Sequence, residues 1–147
     1  MSGFLLDTSA VSEMPKWNPG YIAWLKVVDP LTTFISVLTI GEVRRAIENL
    51  PNDARRASLD DFVRNGLTKV FSGRVLSFDT ETAQHWGRIV ANAEKRKISV
   101  NTIDSMIAAT ALQYNLSVVT RNAGHFEALG VSIVSPWTTL RQAQGDN

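Results

Sequence analysis

Apolar residues along this chain recur at two alternating periods, and the alternation predicts a layered α/β domain. Phe4-Leu5-Leu6 is a short apolar run that stops at Asp7 and predicts a buried first strand. Ile22, Leu25 and Val28 then recur at helical spacing over residues 20–28, and Asp29-Pro30 ends that helix. Thr33-Phe34-Ile35-Ser36-Val37 is β-branched and aromatic and predicts a second strand. From Ile40 the period changes. Ile40, Val43, Ile47 and Leu50 share one helical face until Pro51. A further helix is expected over 53–70, with Ala57, Phe62 and Leu67 as its apolar positions.

Arg74-Val75-Leu76-Ser77-Phe78 predicts another short extended piece. A long helix follows, with Asp79 or Thr80 as its N-cap and Ala83, Trp86, Val90 and Ala93 toward the core. In the next helix Ile103, Met106, Ile107, Thr110, Ala111 and Tyr114 form an i, i+3, i+4 stripe, with Asn115 as its C-terminal stop. Leu116-Ser117-Val118-Val119-Thr120 and Val131-Ser132-Ile133-Val134 predict two central strands. The expected fold class is α/β, a central and mostly parallel sheet flanked by helices. One domain is expected over 1–137, with a polar, frayed tail over 138–147.

Composition narrows the possibilities. With 147 residues, 44% hydrophobic and 20% charged, the chain suits one globular domain rather than a disordered one. There is no cysteine, which excludes disulfides and thiolate metal sites. Asp7 interrupts the N-terminal apolar run before a signal-peptide core develops, and no apolar run approaches the length needed to span a bilayer. A soluble cytoplasmic protein, away from membranes, is therefore expected. A net charge of +1 lacks the footprint of a DNA-coating protein. An enzyme acting on nucleic acid needs only a local basic lip, for which Arg44-Arg45, Arg55-Arg56 and Lys95-Arg96-Lys97 are candidates.

The acidic residues carry the chemistry. Asp7 ends the first strand, Glu42 lies in the first turn of the helix after the second strand, and Asp104 opens the helix at 103–114. Asn122 follows the strand ending at Thr120. Ligands of open parallel sheets bind outside the carboxyl ends of the strands, where these positions would gather. Two carboxylates ~4 Å apart repel by about 1 kcal/mol in water and about 4 kcal/mol at an effective dielectric of 20. A divalent cation reverses the sign. All-oxygen ligands favour Mg²⁺ or Mn²⁺, and such a site suits activation of water against a phosphoryl group.

Structural explanations compete at each position. Thr39-x-x-Glu42 matches a capping box, and Asp104 in a first helical turn complements the helix dipole. Asp7 gains little from structure except as a turn or cap. Asp79 is an N-cap first. His85 sits on a polar flank, His125 is a candidate phosphate contact, and Trp17, Trp24, Trp86 and Trp137 are expected in the core or an interface.

Read together, Leu5-Leu6-Asp7-Thr8-Ser9-Ala10-Val11-Ser12-Glu13, Ile35-Ser36-Val37-Leu38-Thr39-Ile40-Gly41-Glu42-Val43, Thr102-Ile103-Asp104-Ser105-Met106-Ile107-Ala108-Ala109-Thr110-Ala111 and Val118-Val119-Thr120-Arg121-Asn122-Ala123-Gly124-His125-Phe126 resemble the PIN-domain family, in particular its VapC- and FitB-like toxins of type II toxin–antitoxin systems. The closing Val134-Ser135-Pro136-Trp137 fits the same pattern, and the likeness runs from residue 4 to 137. The resemblance implies Asp7, Glu42 and Asp104 as acidic metal-site residues, with Thr8 and Thr120 in support. It also implies Mg²⁺ or Mn²⁺, hydrolysis of RNA, homodimers, and a cognate antitoxin that blocks the site and carries any contact with promoter DNA. Many relatives have an aspartate where Asn122 or His125 stands, so one firmly held ion is expected, with Asn122 ligating or orienting water through its carbonyl. Arg121 or Arg44 would contact RNA phosphates.

Two rivals differ in class. A haloacid-dehalogenase-like phosphatase would need a second acid after the first strand, and Asp7-Thr8-Ser9 has none. A weakly catalytic partner subunit, binding promoter DNA through its antitoxin, would be indifferent to EDTA, unlike a nuclease.

Overall fold

In a computed structural model that describes residues 3–14 and 18–137, five parallel strands form one sheet with helices on both faces. The chain runs β1 (Gly3–Leu6), α1 (Thr8–Glu13), α2 (Pro19–Val27), β2 (Thr33–Ser36) and α3 (Val37–Glu48). It continues through α4 (Ala54–Asp61), a π-helical stretch (Phe62–Leu67), α5 (Thr68–Val70), β3 (Val75–Leu76) and α6 (Thr80–Lys95). It ends with α7 (Thr102–Tyr114), β4 (Leu116–Val119), α8 (Ala123–Glu127) and β5 (Ile133–Val134). The strand order is β3-β2-β1-β4-β5, so the first strand is the central one.

A central parallel strand is covered on both faces, which is why its sequence reads as continuous rather than alternating apolar. Leu6 points into one core with Val11, Tyr21, Ile35, Ile47, Leu67 and Phe71. Its neighbour Leu5 points into the other with Ile107, Ala108, Ala111, Val118 and Phe126. The register sets Leu5 beside Phe34 and Val118, and Leu6 beside Val119. Gly3 is required at the foot of β1. A Cβ there would lie 2.9 Å from both the Thr32 carbonyl oxygen and Leu116 Cδ2.

The predicted class and the existence of the strands hold, with shorter limits for the extended runs at 74–78 and 131–134. However, β5, expected to be central, lies at the sheet edge and pairs, among the described strands, with β4 alone. Several helix expectations do not hold. The helix after β2 begins at Val37, because the Ser36 side chain accepts the Leu38 N–H at 3.0 Å and caps it there. Thr39 is thus a buried residue inside the helix, and Glu42 lies beyond the first turn, outside any capping box. The expected helix over 53–70 is interrupted by the π-helical stretch, whose wider turn keeps Val63 and Leu67 on the buried side while Ala57 is exposed.

On α6 the buried face is Thr82, Ile89 and Ala93 with half-buried Trp86, and Ala83 is exposed. The Asp79–Thr82 capping box and a bond from Thr82 to Gln113 on α7 rotate that face inward. On α7 Ala108 and Ala109 join the predicted Ile107, Thr110 and Ala111 in full burial, since the helix is wedged between the sheet and α6. Asn115 ends it in the left-handed conformation, as expected. Trp24 and Trp137 pack against the first core, and Trp86 donates to Ser105 Oγ at 2.9 Å. Trp17 and the tail over 138–147 lie outside the described residues. Among the described residues no helix is long and apolar enough to cross a membrane.

Candidate active site

Parallel pairing brings the ends of β1 and β4 together. The Asp7 N–H continues the ladder to the Val119 carbonyl at 3.1 Å, and the Thr120 N–H reaches the Val134 carbonyl at 3.1 Å. Asp7 and Thr120 are therefore neighbours at the carboxyl edge of the sheet, and both are buried. The chain turns immediately into α1, and Asp7 is its N-cap. Asp7 Oδ1 accepts the Ala10 N–H at 2.9 Å and the Ser9 hydroxyl at 2.6 Å. The cap explanation for Asp7 is thus real, and it fixes the carboxylate at the edge. Burial pushes the Asp7 carboxyl above the usual carboxylate range. Hydrogen bonds from Ser9, Thr120 and the Ala10 N–H pull it back, and the negative charge of Asp104 adds to the rise.

Asp104 comes from the first turn of α7. The Asn101 side chain caps that helix by accepting the Asp104 N–H at 3.0 Å. The Asp104 carboxylate meets His125 of α8, with Nδ1 2.9 Å from Oδ2. Glu42 reaches the same region along α3, where its carboxylate accepts the Thr8 hydroxyl, and Thr8 also approaches Thr39 Oγ1 at 3.4 Å. Arg121 sits at the rim. Its N–H donates to Ser9 Oγ at 3.0 Å, and its guanidinium pairs with Glu13 at 3.1 Å. The Asn122 N–H donates to Thr120 Oγ1 at 2.9 Å, and its side chain makes no capping bond to α8.

The edge therefore unites Asp7, Thr8, Thr120, Arg121 and Asn122, with Asp104 within electrostatic reach and Glu42 linked through Thr8. Arg44 is not part of it. Two residues along a helix from Glu42 is about 200° around the axis, and the Arg44 guanidinium pairs with Asp60 at 2.6 Å and Glu48 at 3.5 Å. The basic lip expected at Arg44 is a clamp between α3 and α4. Sequence reasoning missed Ser9 and the partnership of His125 with Asp104. The first had a local signal, a serine two residues after an acid at a helix start. The second joins residues 21 apart and had none.

Carboxylate, hydroxyl and amide oxygens make a hard donor set, which fits Mg²⁺ or Mn²⁺ in type. The mutual charge of Asp7 and Asp104 fits a cation as well. As the side chains stand, no three His, Asp or Glu residues among the described ones lie close enough to hold one ion. These contacts engage one named oxygen of each acid: Asp7 Oδ1 in the cap of α1, Asp104 Oδ2 with His125 and Glu42 Oε1 with Thr8.

Comparison with known proteins agrees with this architecture. The family model of the PIN domain matches residues 4–131. The toxin FitB of Neisseria gonorrhoeae is 33% identical over 135 residues, covering 90% of this chain and 97% of its own. The VapC ribonuclease Y4jK of Sinorhizobium fredii is 30% identical over 135 residues, covering 90% and 96%. The solved structure of FitAB bound to an IR36 DNA fragment superposes with a TM-score of 0.85 at 31% identity, over 92% of this chain and 96% of that one. A parallel sheet with Asp7 at its carboxyl edge, Asp104 within electrostatic reach, and a family match over nearly the whole described chain lead to one conclusion: this chain belongs to the PIN-domain family.

Proposed function

We propose that the chain is the toxin of a toxin–antitoxin pair, a metal-dependent endoribonuclease that hydrolyses RNA phosphodiester bonds and so inhibits translation or growth. The observation that carries this reading is Asp7, an acid 3% exposed, whose burial and proximity to the charge of Asp104 both oppose its ionisation. A fold gains nothing from such opposition, whereas a cation between the two acids would relieve it. Relatives at 30% identity or above that are named a toxin and a ribonuclease support the same reading.

Asp7 and Asp104 would hold Mg²⁺ or Mn²⁺, with Glu42 beside them. The bound ion would supply charge stabilisation for the phosphoryl group and lower the pKa of a water. The chain's own residues do the rest. Ser9, Thr120 and the Ala10 N–H keep Asp7 in one orientation. Thr8 fixes Glu42, which orients the attacking water. Water oxygen bonds to phosphorus, the bond to the leaving ribose oxygen breaks, and that oxygen takes up a proton. Arg121, half-exposed at the rim, is the cation best placed for a substrate phosphate. The partners that follow are RNA as substrate, a cognate antitoxin that covers the site and carries the promoter-DNA contact, and a second copy of the chain as a homodimer, working in the cytoplasm.

The test is RNA cleavage by the purified, antitoxin-free protein with Mg²⁺ or Mn²⁺, with EDTA and Asp104→Asn as controls. Cleavage abolished in both controls is the expected result. Cleavage that survives EDTA refutes the metal dependence, and no cleavage by the folded, metal-loaded protein on total RNA favours the weakly catalytic partner subunit.

A further inference from the structure

His125 lies outside the set of acids yet touches one of them. Its Nδ1 is 2.9 Å from Asp104 Oδ2, between two short elements, the first turn of α7 and α8. An ionised carboxylate only accepts, so the contact is a hydrogen bond when Nδ1 carries the proton. Asp104 is then held from two sides, by its N–H on Asn101 Oδ1 and by one carboxylate oxygen on His125. Asp104 Oδ1 carries no hydrogen bond within the described residues. The rest of the imidazole, in a side chain 59% exposed, lines a polar cleft of about 370 Å³ with Ser99, Asn101 and Gly124. The ring covers part of the Asp104 side chain, which stays 20% exposed, and meets it through Nδ1.

Resting on the metal-site reading above, we propose that His125 is a positioning residue: its Nδ1–H locks the Asp104 carboxylate in the orientation that leaves Oδ1 free to meet the cation together with Asp7. A carboxylate that rotates freely must be ordered when the ion binds, whereas one already hydrogen-bonded is not. Partners that orient metal ligands in this way carry about 10–100-fold in metal affinity.

Mn²⁺ alone, without RNA, is the probe. Free Mn²⁺ is followed by electron paramagnetic resonance during titration of the full chain, comparing wild type with His125→Ala, His125→Asn and Asp7→Asn. Asparagine places its amide N–H where Nδ1–H stands, so it separates the donor from the ring. The expected result is about 10–100-fold weaker binding in His125→Ala, recovery to within a few-fold in His125→Asn, and unchanged melting temperature for both without metal. Wild-type affinity in His125→Ala overturns the proposal, as does His125→Asn binding as weakly as His125→Ala. If Asp7→Asn binds Mn²⁺ like wild type, the metal-site reading fails and the proposal fails with it. If Asp7→Asn loses binding while His125→Ala keeps it, only the role of His125 is refuted.

Discussion

Asp7 serves two masters, and the two are separable by substitution. As the N-cap of α1 it satisfies the Ala10 N–H and the Ser9 hydroxyl, while as a buried anion it opposes the fold. Asn caps helices about as well as Asp and keeps an oxygen at the position of Oδ1. It brings no charge. Ala removes the cap, which costs ~1 kcal/mol, and strands buried donors, which raises the total to about 2 kcal/mol. For a domain of this size that corresponds to a fall in melting temperature of about 4–8 °C.

Asp7→Asn should melt at or above wild type, Asp7→Ala several degrees below it, and both should lose RNA cleavage. The folded carboxyl titrates above its usual range, so wild type carries no penalty in acid, where both folded and unfolded chains are protonated. As pH rises the unfolded chain ionises first, and stability falls until the folded carboxyl ionises too. The advantage of Asp7→Asn should therefore appear on going from acid to neutral pH. Calorimetry in EDTA from pH 3 to pH 7 measures it. If Asp7→Asn loses as much stability as Asp7→Ala at neutral pH, the separation of cap from charge is wrong.

Other expectations follow from single contacts. Gly3→Ala should destabilise by ~1–3 kcal/mol in urea unfolding, because its Cβ meets a backbone oxygen that cannot move without shifting β2. Asp79→Ala should lower the melting temperature by removing the cap of α6. Hydrogen bonds from Thr82 hold the Asp79 carboxyl below its usual range, so that contribution is present above the ordinary carboxylate pKa and lost as pH falls through the folded value. The difference between wild type and Asp79→Ala should shrink in acid melts. Arg121→Ala should raise KM for RNA and flatten its salt dependence, whereas Arg44→Ala should leave both unchanged, since Arg121 sits at the rim of the carboxyl edge while Arg44 points away from it toward α4. Equal effects of the two would place the RNA path over α3 and α4 instead.

The strands were readable because a central parallel strand announces itself as an unbroken apolar run, as Leu5-Leu6 and Val118-Val119 do. The carboxyl edge followed from them, and with it Asp7 and Thr120. Helix starts were less readable. Ser36 ends a strand and begins a helix with no intervening loop, so its cap is hidden inside a β-rich run, and the Thr39-x-x-Glu42 pattern that competes with the metal reading is not a capping box. On α6 the expected Ala93 is buried and Trp86 and Val90 are half-buried, but Ala83 is exposed, because a capping box and Gln113 bury Thr82, a polar residue that an apolar count passes over. His125 was seen without its partner, because a contact between two helix ends depends on where the sheet places them.

Among the described strands the central one is also the first to be made. β1 takes its neighbours from β2 and β4, with Leu6 beside Val119, and Asp7 faces a charge from Asp104. During vectorial synthesis β1 emerges before β4, so Asp7 waits for the strand whose end lies beside it. A nascent polypeptide that stops short of Leu116 holds Asp7, Glu42 and Asp104 but lacks β4 on one side of β1 and the Thr120 hydrogen bond to Asp7. The edge that seats Asp7 is therefore complete only when β4, the fourth of the five described strands, has been made and has paired with β1.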